Sequence, residues 1–124
     1  MTADEHRTKA AAIERSLARC TTADYETVIE ACMLAGTHWF NIALHRAGVL
    51  PPPRDAMHAE FLSGVERRKA RIHVPAALAA LDEIEALRTP FVRGDFPGGE
   101  EAARQALACL AVLRSAAKSR EAAG

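Results

Sequence analysis

Hydrophobic residues recur every three or four positions in five stretches of this chain of 124 residues. That spacing places them on one face of an α-helix. No stretch shows the strict alternation of apolar and polar residues that is typical of a β-strand. The pattern predicts helices over about 3–20, 24–47, 56–72, 75–88 and 100–118.

The helix predicted over 24–47 is the longest of the five and contains the only Trp. Its apolar face is broad enough to contact several neighbours, so we expect it at the centre of the core. Gly36 lies in the middle of this helix, where Gly costs about 1 kcal/mol relative to Ala. Close approach of another helix would explain it. The apolar positions are Val28, Ile29, Cys32, Met33, Gly36, Trp39, Phe40, Ala43, Leu44 and Ala47. The polar positions opposite them are Glu26, Glu30, Thr37 and Asn41.

Polar residues mark where the first helices begin and end. Thr2, with Glu5 three residues later, forms a capping-box pattern for the helix over 3–20. Thr22 is a favourable N-cap for the second helix. Gly48 ends that helix, and the three prolines at 51–53 prevent it from resuming.

The third helix, over 56–72, is predicted to begin after Asp55, a favourable N-cap residue. One face of this helix is strongly charged, and the other needs a partner to bury its apolar stripe. That stripe consists of Met57, Phe61, Val65 and Ile72. Pro75 suits the first turn of the fourth helix. The Gly- and Pro-rich stretch 91–99 is predicted to form turns, and the tail 119–124 is expected to fray.

Five helices joined by mostly short connections predict an all-α, antiparallel bundle with up-and-down topology. A chain of 124 residues has room for one domain, so we expect a single domain over 1–124 with its core over about 24–115. Sixteen basic and sixteen acidic residues give zero net charge. Such a protein lacks the overall positive field of a general nucleic-acid or membrane binder.

Leader and membrane signals are missing from the sequence, and its cysteines form no paired motif. The polar start of the chain has no apolar leader segment, and no run approaches the ~20 apolar residues of a membrane span. Cys20, Cys32 and Cys109 are far apart and odd in number. We therefore expect a cytoplasmic protein with reduced thiols. Cys32 and Cys109 have no neighbouring cation that would make either thiol reactive.

The order of these features resembles the HEPN family (higher eukaryotes and prokaryotes nucleotide-binding). A long helix with bulky aromatics ends at 47–49, and a Pro-rich loop follows. His58 then lies near the start of the next helix, and Arg-Gly-Asp-Phe at 93–96 precedes the acidic start of the last helix. The 93–96 stretch looks like the family's Arg-x-Asp-Tyr-type segment, with Phe in place of Tyr. The resemblance covers about 24–115 and implies an HEPN-like helical bundle.

The resemblance implies a non-catalytic binding or interaction domain. HEPN domains include subunits that partner small nucleotidyltransferases and domains with no known catalysis. We therefore expect a nucleotide-binding domain or the partner of a nucleotidyltransferase, with a homodimer as a further expected assembly.

The alternative implied by the family is a metal-independent ribonuclease of the toxin–antitoxin type, with RNA as its ligand. Its ribonuclease members use an Arg and a His separated by four to six residues, and Arg68 and His73 have four residues between them. His could serve as general acid or base and Arg could stabilise the developing charge. However, this pair ends the third helix, whereas the family's motif lies near the start of the last. A solvated basic helix end explains the same residues.

Candidate ligand-binding residues lie on a polar edge of the second helix. His38, Asn41 and His45 share that edge and could line either a pocket or a dimer interface. His38 and His45 are two turns apart, roughly 10 Å along the axis, so one ion rarely bridges them. No Cys or acidic residue stands out as a third ligand. The sequence accordingly predicts neither a metal ion nor another cofactor.

A second candidate is the pair Arg54 and His58, close to the predicted start of the third helix. Such a pair could hold an anion with help from the free N–H groups of a helix start. Packing or capping by His58 is the alternative.

Overall fold

Five α-helices pack together, and no β-strand is present, over residues 1–123, which the computed structural model describes. The all-α class predicted from the sequence is confirmed. The helices are α1 (Ala3–Leu17), α2 (Tyr25–Arg46), α3 (Gly64–His73), α4 (Pro75–Arg88) and α5 (Gly99–Ala123). Single turns of 3-10 helix occur at Thr22–Asp24 and Ala59–Phe61, and a π-helical turn at Thr89–Arg93 follows α4.

Helix α2 is the centre of the core and contacts α1, α4 and α5. Phe40, Ile42 and Leu44 are fully buried, and Trp39 is nearly so. Each large apolar side chain buried in this way contributes about 1.5–3 kcal/mol through the hydrophobic effect. The helix begins and ends within one residue of the range predicted from its apolar face.

Gly36 lies where α2 packs against α4 and α5. A Cβ atom at this position would lie 2.9 Å from Leu113 Cδ1 and 3.6 Å from Ile84 Cδ1. Real Cβ atoms do not approach another carbon as closely as 2.9 Å, so a larger residue would displace the end of the Leu113 side chain. The close crossing predicted from this Gly is confirmed.

The chain before α2 matches the prediction at its start and differs at its end. Thr2 and Glu5 form the predicted capping box of α1. However, α1 ends at Leu17 rather than near 20. Thr22 is not the N-cap of α2, because Thr21 and Asp24 cap the intervening 3-10 turn reciprocally.

Helix α3 is shorter than predicted, and the role assigned to Asp55 was wrong. Ser63 is the N-cap of α3 and forms a capping box with Glu66. Asp55 lies eight residues earlier and is drawn inward, because its carboxylate contacts the rings of two histidines. The predicted apolar stripe is not buried in this chain: the exposed fractions are 71% for Met57, 65% for Phe61, 56% for Val65 and 68% for Ile72.

The last two helices follow the prediction, except at the end of the chain. Helix α4 has the predicted bounds, with Pro75 at its first position. Helix α5 begins one residue before its predicted start and continues through Ala123, five residues beyond its predicted end; Gly124 lies outside the described residues. An ion pair between Arg7 of α1 and Glu121 holds this end of α5 against the bundle.

No helix in the described part of the chain is long and apolar enough to cross a membrane. Helices α2 and α5, with 22 and 25 residues, reach the ~20 residues that a span requires. Charged residues such as Arg104, Arg114 and Lys118 keep the sequence of α5 from being continuously apolar.

Candidate functional site

Three imidazole rings and one carboxylate meet where α1, α2 and the α2–α3 connection (47–63) come together. They belong to His6, His38, His45 and Asp55, here named the histidine cluster. Oδ1 of Asp55 lies 2.8 Å from Nε2 of His6 and 2.8 Å from Nε2 of His45. Nδ1 of His6 lies 2.9 Å from Nδ1 of His38. The cluster therefore forms one continuous chain of polar contacts.

His6 closes the gap between the two histidines of α2. It lies one turn before the buried Ala10 on the inner face of α1, and only 2% of it is exposed. Its ring centroid is 5.2 Å from that of His38 and 5.7 Å from that of His45. The spacing of two turns that argued against a shared site is thus bridged by a ring from another helix.

His6 is the residue that the sequence interpretation missed. Its signal was its position in the apolar stripe of α1, four residues before Ala10 and seven before Ile13. A polar residue within an apolar stripe is buried with its partners when the stripe packs. The sequence predicts Asp55 as a helix N-cap, and for that reason it does not indicate that Asp55 lies beside His45.

Asn41 fixes the backbone next to Asp55. Its Nδ2 donates to the carbonyl oxygens of Thr37 and Ala56 at 2.9 and 2.8 Å. Its Oδ1 accepts from the N–H of Ala56 at 2.7 Å. Asn41 was predicted on a polar edge, but the structure buries it to 1% exposure and uses its amide to hold the α2–α3 connection against α2.

The pKa values of Asp55, His6 and His38 are all lowered in the cluster. Burial alone would raise the pKa of Asp55, but hydrogen bonds from the N-terminal ammonium, His6 and His45 outweigh it and lower that pKa to about 2. Burial lowers the pKa of His6 below its usual value despite the neighbouring Asp55. Burial, with repulsion from His6 and Lys9, likewise lowers the pKa of His38. Neutral imidazoles and a carboxylate are the forms that bind metal ions and hydrogen-bonding ligands.

A cavity of about 560 Å³ opens beside the histidine cluster. His6, His38, Asn41, Asp55 and His58 line its polar side, whereas Met33, Leu34 and Met57 supply apolar surface. Three of the predicted ligand-binding residues, His38, Asn41 and His58, therefore converge on one cavity. His45 lies behind its wall, where it contacts Asp55.

The charged groups on the cavity wall are paired with one another. Arg88 donates to Glu30 at 2.6 and 3.1 Å and to Glu85 at 3.1 Å. His58 packs edge-on against Phe61, and its Nδ1 lies 3.8 Å from Oε2 of Glu85. That nitrogen is buried and has no hydrogen-bond partner within residues 1–123. His58 is thus a polar wall residue whose hydrogen-bonding capacity is incompletely used.

Arg54 lies outside the cavity, although the sequence grouped it with His58. Its guanidinium donates to both oxygens of Glu66 at 2.6 and 3.2 Å, and 60% of its side chain is exposed. This ion pair connects the α2–α3 connection to the first turn of α3.

Arg68 and His73 are both exposed on α3. Neither lines the cavity beside the histidine cluster. The carbonyl of His73 accepts a hydrogen bond from Arg120 of α5, which anchors the end of α3. The structure therefore places this pair on the surface and away from the clustered polar groups.

Comparisons with protein-family models, curated proteins and solved structures find no match to this chain. The geometry of the chain defines an all-α protein with a partly buried histidine–aspartate cluster beside a cavity. The resemblance to the HEPN family stays a prediction from the sequence.

Proposed function

We propose that this chain is a non-catalytic helical binding domain, and that its ligand occupies the cavity beside the histidine cluster. The observation that carries the proposal is the convergence of His6, His38 and His58 on one wall. These residues come from α1, α2 and the α2–α3 connection, so only the folded chain assembles them. Clefts that combine apolar surface with a few convergent polar groups are the usual form of small-molecule sites.

The size and surface of the cavity favour a flat heteroaromatic ligand of nucleoside size. A volume of about 560 Å³ lies within the range of about 300–1,000 Å³ for small-molecule sites. The thioethers of Met33 and Met57 suit contact with an aromatic ring. Imidazole nitrogens can donate to or accept from the polar edge of a base. Nε2 of His38 makes no hydrogen bond within the described residues, and it is available for this purpose.

The charges favour a base or nucleoside over a phosphate group. Arg88 is the one guanidinium on the cavity wall, among the described residues, and it is already paired with Glu30 and Glu85. The N-terminal ammonium is paired with Asp55. A phosphate entering the cavity would meet Glu30 and Asp55 without an unpaired guanidinium or ammonium to offset them. The sequence predicted a nucleotide ligand; these charges favour binding of its base and sugar without the phosphate.

We also propose that the five helices form the HEPN-like, antiparallel up-and-down bundle expected from the sequence. The order of elements supports it: a 22-residue α2, a Pro-rich connection and a long last helix. We further propose that the chain binds a protein partner, either a second copy of itself or a nucleotidyltransferase. The exposed side chains of Met57, Phe61, Val65 and Ile72 supply apolar surface for such a partner.

Isothermal titration calorimetry tests the ligand class. Chelator-treated protein is titrated with the four common nucleosides and their 5′-monophosphates at pH 7. We expect at least one nucleoside to bind, and its monophosphate to bind no more tightly. Replacing a polar wall residue by His58→Ala should weaken binding about five- to tenfold, because one buried hydrogen bond to the ligand contributes about 1–1.5 kcal/mol.

The matched control is His73→Ala, which removes an exposed histidine from α3 and should leave nucleoside binding unchanged. Two results contradict the proposal: no heat from any nucleoside or nucleotide with folded wild-type protein, or equal losses in the two variants.

A further inference from the structure

The three groups best placed to share one ion come from three separate segments of the chain. Each of His6, His45 and Asp55 offers one ligand atom, and these three atoms all lie within 4.8 Å of one another. The side chains of His6 and His45 are 2% and 4% exposed, and that of Asp55 is 24% exposed. The donor set is therefore two imidazoles and a carboxylate, mostly shielded from bulk water.

The spacing is close to that of a metal site. Bonds of about 2.0–2.2 Å to a tetrahedral Zn²⁺ place neighbouring ligand atoms roughly 3.3–3.5 Å apart. Oδ1 of Asp55 lies 2.8 Å from Nε2 of each histidine. An outward shift of about half an ångström per contact would admit the ion.

The contact between His45 and Leu50 sets the tautomer that a metal ligand requires. Nδ1 of His45 lies 3.2 Å from the carbonyl oxygen of Leu50, which can only accept, so this nitrogen must carry the hydrogen. In the neutral ring, Nε2 then has a lone pair, and it faces Oδ1 of Asp55. The lone pair on Nε2 is therefore the donor that His45 offers to a metal ion.

His38 orients the ring of His6 in the way that the Leu50 carbonyl orients the ring of His45. The contact of 2.9 Å between their Nδ1 atoms needs one donor and one acceptor. When His6 donates, its Nε2 has a lone pair directed toward Asp55. Histidine ligands of metal ions nearly always donate their other ring N–H in this way, which fixes the orientation of the ring. The N-terminal ammonium lies 2.9 Å from Oδ2 of Asp55 and leaves Oδ1 for the ion.

We propose that Nε2 of His6, Nε2 of His45 and the carboxylate of Asp55 bind one divalent transition-metal ion, of which Zn²⁺ is the best match. His38 and the Leu50 carbonyl position the two rings. The sequence alone predicted no metal, because it missed His6 and assigned Asp55 to a helix cap. Three protein ligands leave a coordination position open, and His6 and Asp55 also line the cavity. The open position therefore faces the cavity.

Competition between the chelator-treated protein and a chromogenic zinc chelator measures the stoichiometry and affinity. We expect one equivalent of Zn²⁺ per wild-type chain. Removing a ligand with His45→Gln should weaken binding at least about 100-fold. The positioning variant His38→Gln should weaken it by about 10–100-fold while the stoichiometry stays at one.

Two controls separate this site from other zinc-binding groups. His73→Gln changes an exposed histidine, and Cys20→Ser removes the most accessible thiol; both should bind Zn²⁺ as the wild type does. Circular dichroism of the metal-free variants shows whether each is folded. If a ligand variant is unfolded, the visible spectrum of wild-type protein with Co²⁺ tests the site instead. We expect ligand-field bands and no charge-transfer band from a thiolate ligand.

Three results overturn the proposal: less than a fifth of an equivalent of tightly bound Zn²⁺ in the wild type, unchanged affinity in a folded His45→Gln variant, or no Co²⁺ bands. The metal site stands apart from the proposed function, because Zn²⁺ is titrated without nucleoside and nucleosides are titrated without metal. A negative result in one titration therefore leaves the proposal tested by the other unaffected.

Discussion

Nε2 of His45 lies 2.8 Å from Oδ1 of Asp55, although ten positions and three consecutive prolines separate the two residues. This contact joins the last turn of α2 to the α2–α3 connection. It accounts for two features of the structure at once. Asp55 cannot cap a helix while its carboxylate is turned inward, so α3 begins only at Gly64. The same carboxylate then becomes the acidic member of the histidine cluster.

The first prediction concerns Asn41, which holds the backbone beside this contact. In Asn41→Ala, the buried N–H and C=O of Ala56 both lose their partner. An unsatisfied buried polar group costs about 1–3 kcal/mol, so we expect the free energy of unfolding to fall by about 2–4 kcal/mol. Urea denaturation of metal-free protein, followed by circular dichroism, measures the change. The exposed Gln105→Ala serves as control, and a loss below about 0.5 kcal/mol in Asn41→Ala would contradict the assigned role.

The helices of the core could be predicted from the sequence, because their signals are local. Pro75 and the following leucines define α4 to the residue, and the apolar face of α2 defines that helix within one residue. Gly36 even indicated a close helix crossing. Each signal depends on residues only a few positions apart, and helical periodicity records that spacing directly.

The histidine cluster could not be predicted in the same way, because its contacts are tertiary. His6 and Asp55 are 49 positions apart, and no local pattern records that they meet. The prediction for 56–72 failed for a related reason. The spacing of Met57, Phe61 and Val65 fits a helical stripe, but contacts of Asp55 and Asn41 with distant residues fix this stretch in another conformation.

A second prediction concerns pH and the capping box of α3. The hydrogen bond from Arg54, together with that from the Ser63 backbone, lowers the pKa of Glu66 from its ordinary 4.5 to about 2. A carboxyl group whose pKa is lower in the folded state stabilises the fold above its unfolded pKa. That contribution is lost as the pH falls from about 4.5 to about 2. It is small, because the ion pair with Arg54 is largely exposed to solvent.

Comparing wild type with Glu66→Gln tests this relationship. Thermal midpoints are measured from pH 7 to pH 2 in the same buffer series. The wild type should have the higher midpoint at pH 5–7, and the difference should shrink toward pH 2. Arg54→Gln should behave like the Glu66 variant. A difference that stays constant over the whole range would show that the charge of Glu66 contributes nothing.

The third prediction concerns the three cysteines. Burial raises the pKa of Cys32 to about 12, and burial with the neighbouring Glu83 raises that of Cys109 to about 12. Since the thiolate is the reactive form, both should resist alkylation at pH 8, whereas the partly exposed Cys20 should react. Mass spectrometry after brief iodoacetamide treatment should find one label on the native chain and three on the denatured chain. Cys20→Ser should abolish the native label, and rapid labelling of Cys109 would contradict the packing of α4 against α5.

The last prediction separates the binding domain from the ribonuclease alternative. Residues five positions apart on an α-helix point about 140° away from each other, so Arg68 and His73 do not share one face of α3. Both are also exposed, whereas an acid or base catalyst must be held at about 3 Å from the reacting oxygen. We therefore expect no cleavage of a fluorescent single-stranded RNA by the wild type beyond that of an Arg68→Ala/His73→Ala double variant purified in parallel. The parallel purification accounts for contaminating nucleases. Cleavage by the wild type that disappears in the double variant would establish the catalytic pair and contradict the proposal of a non-catalytic domain.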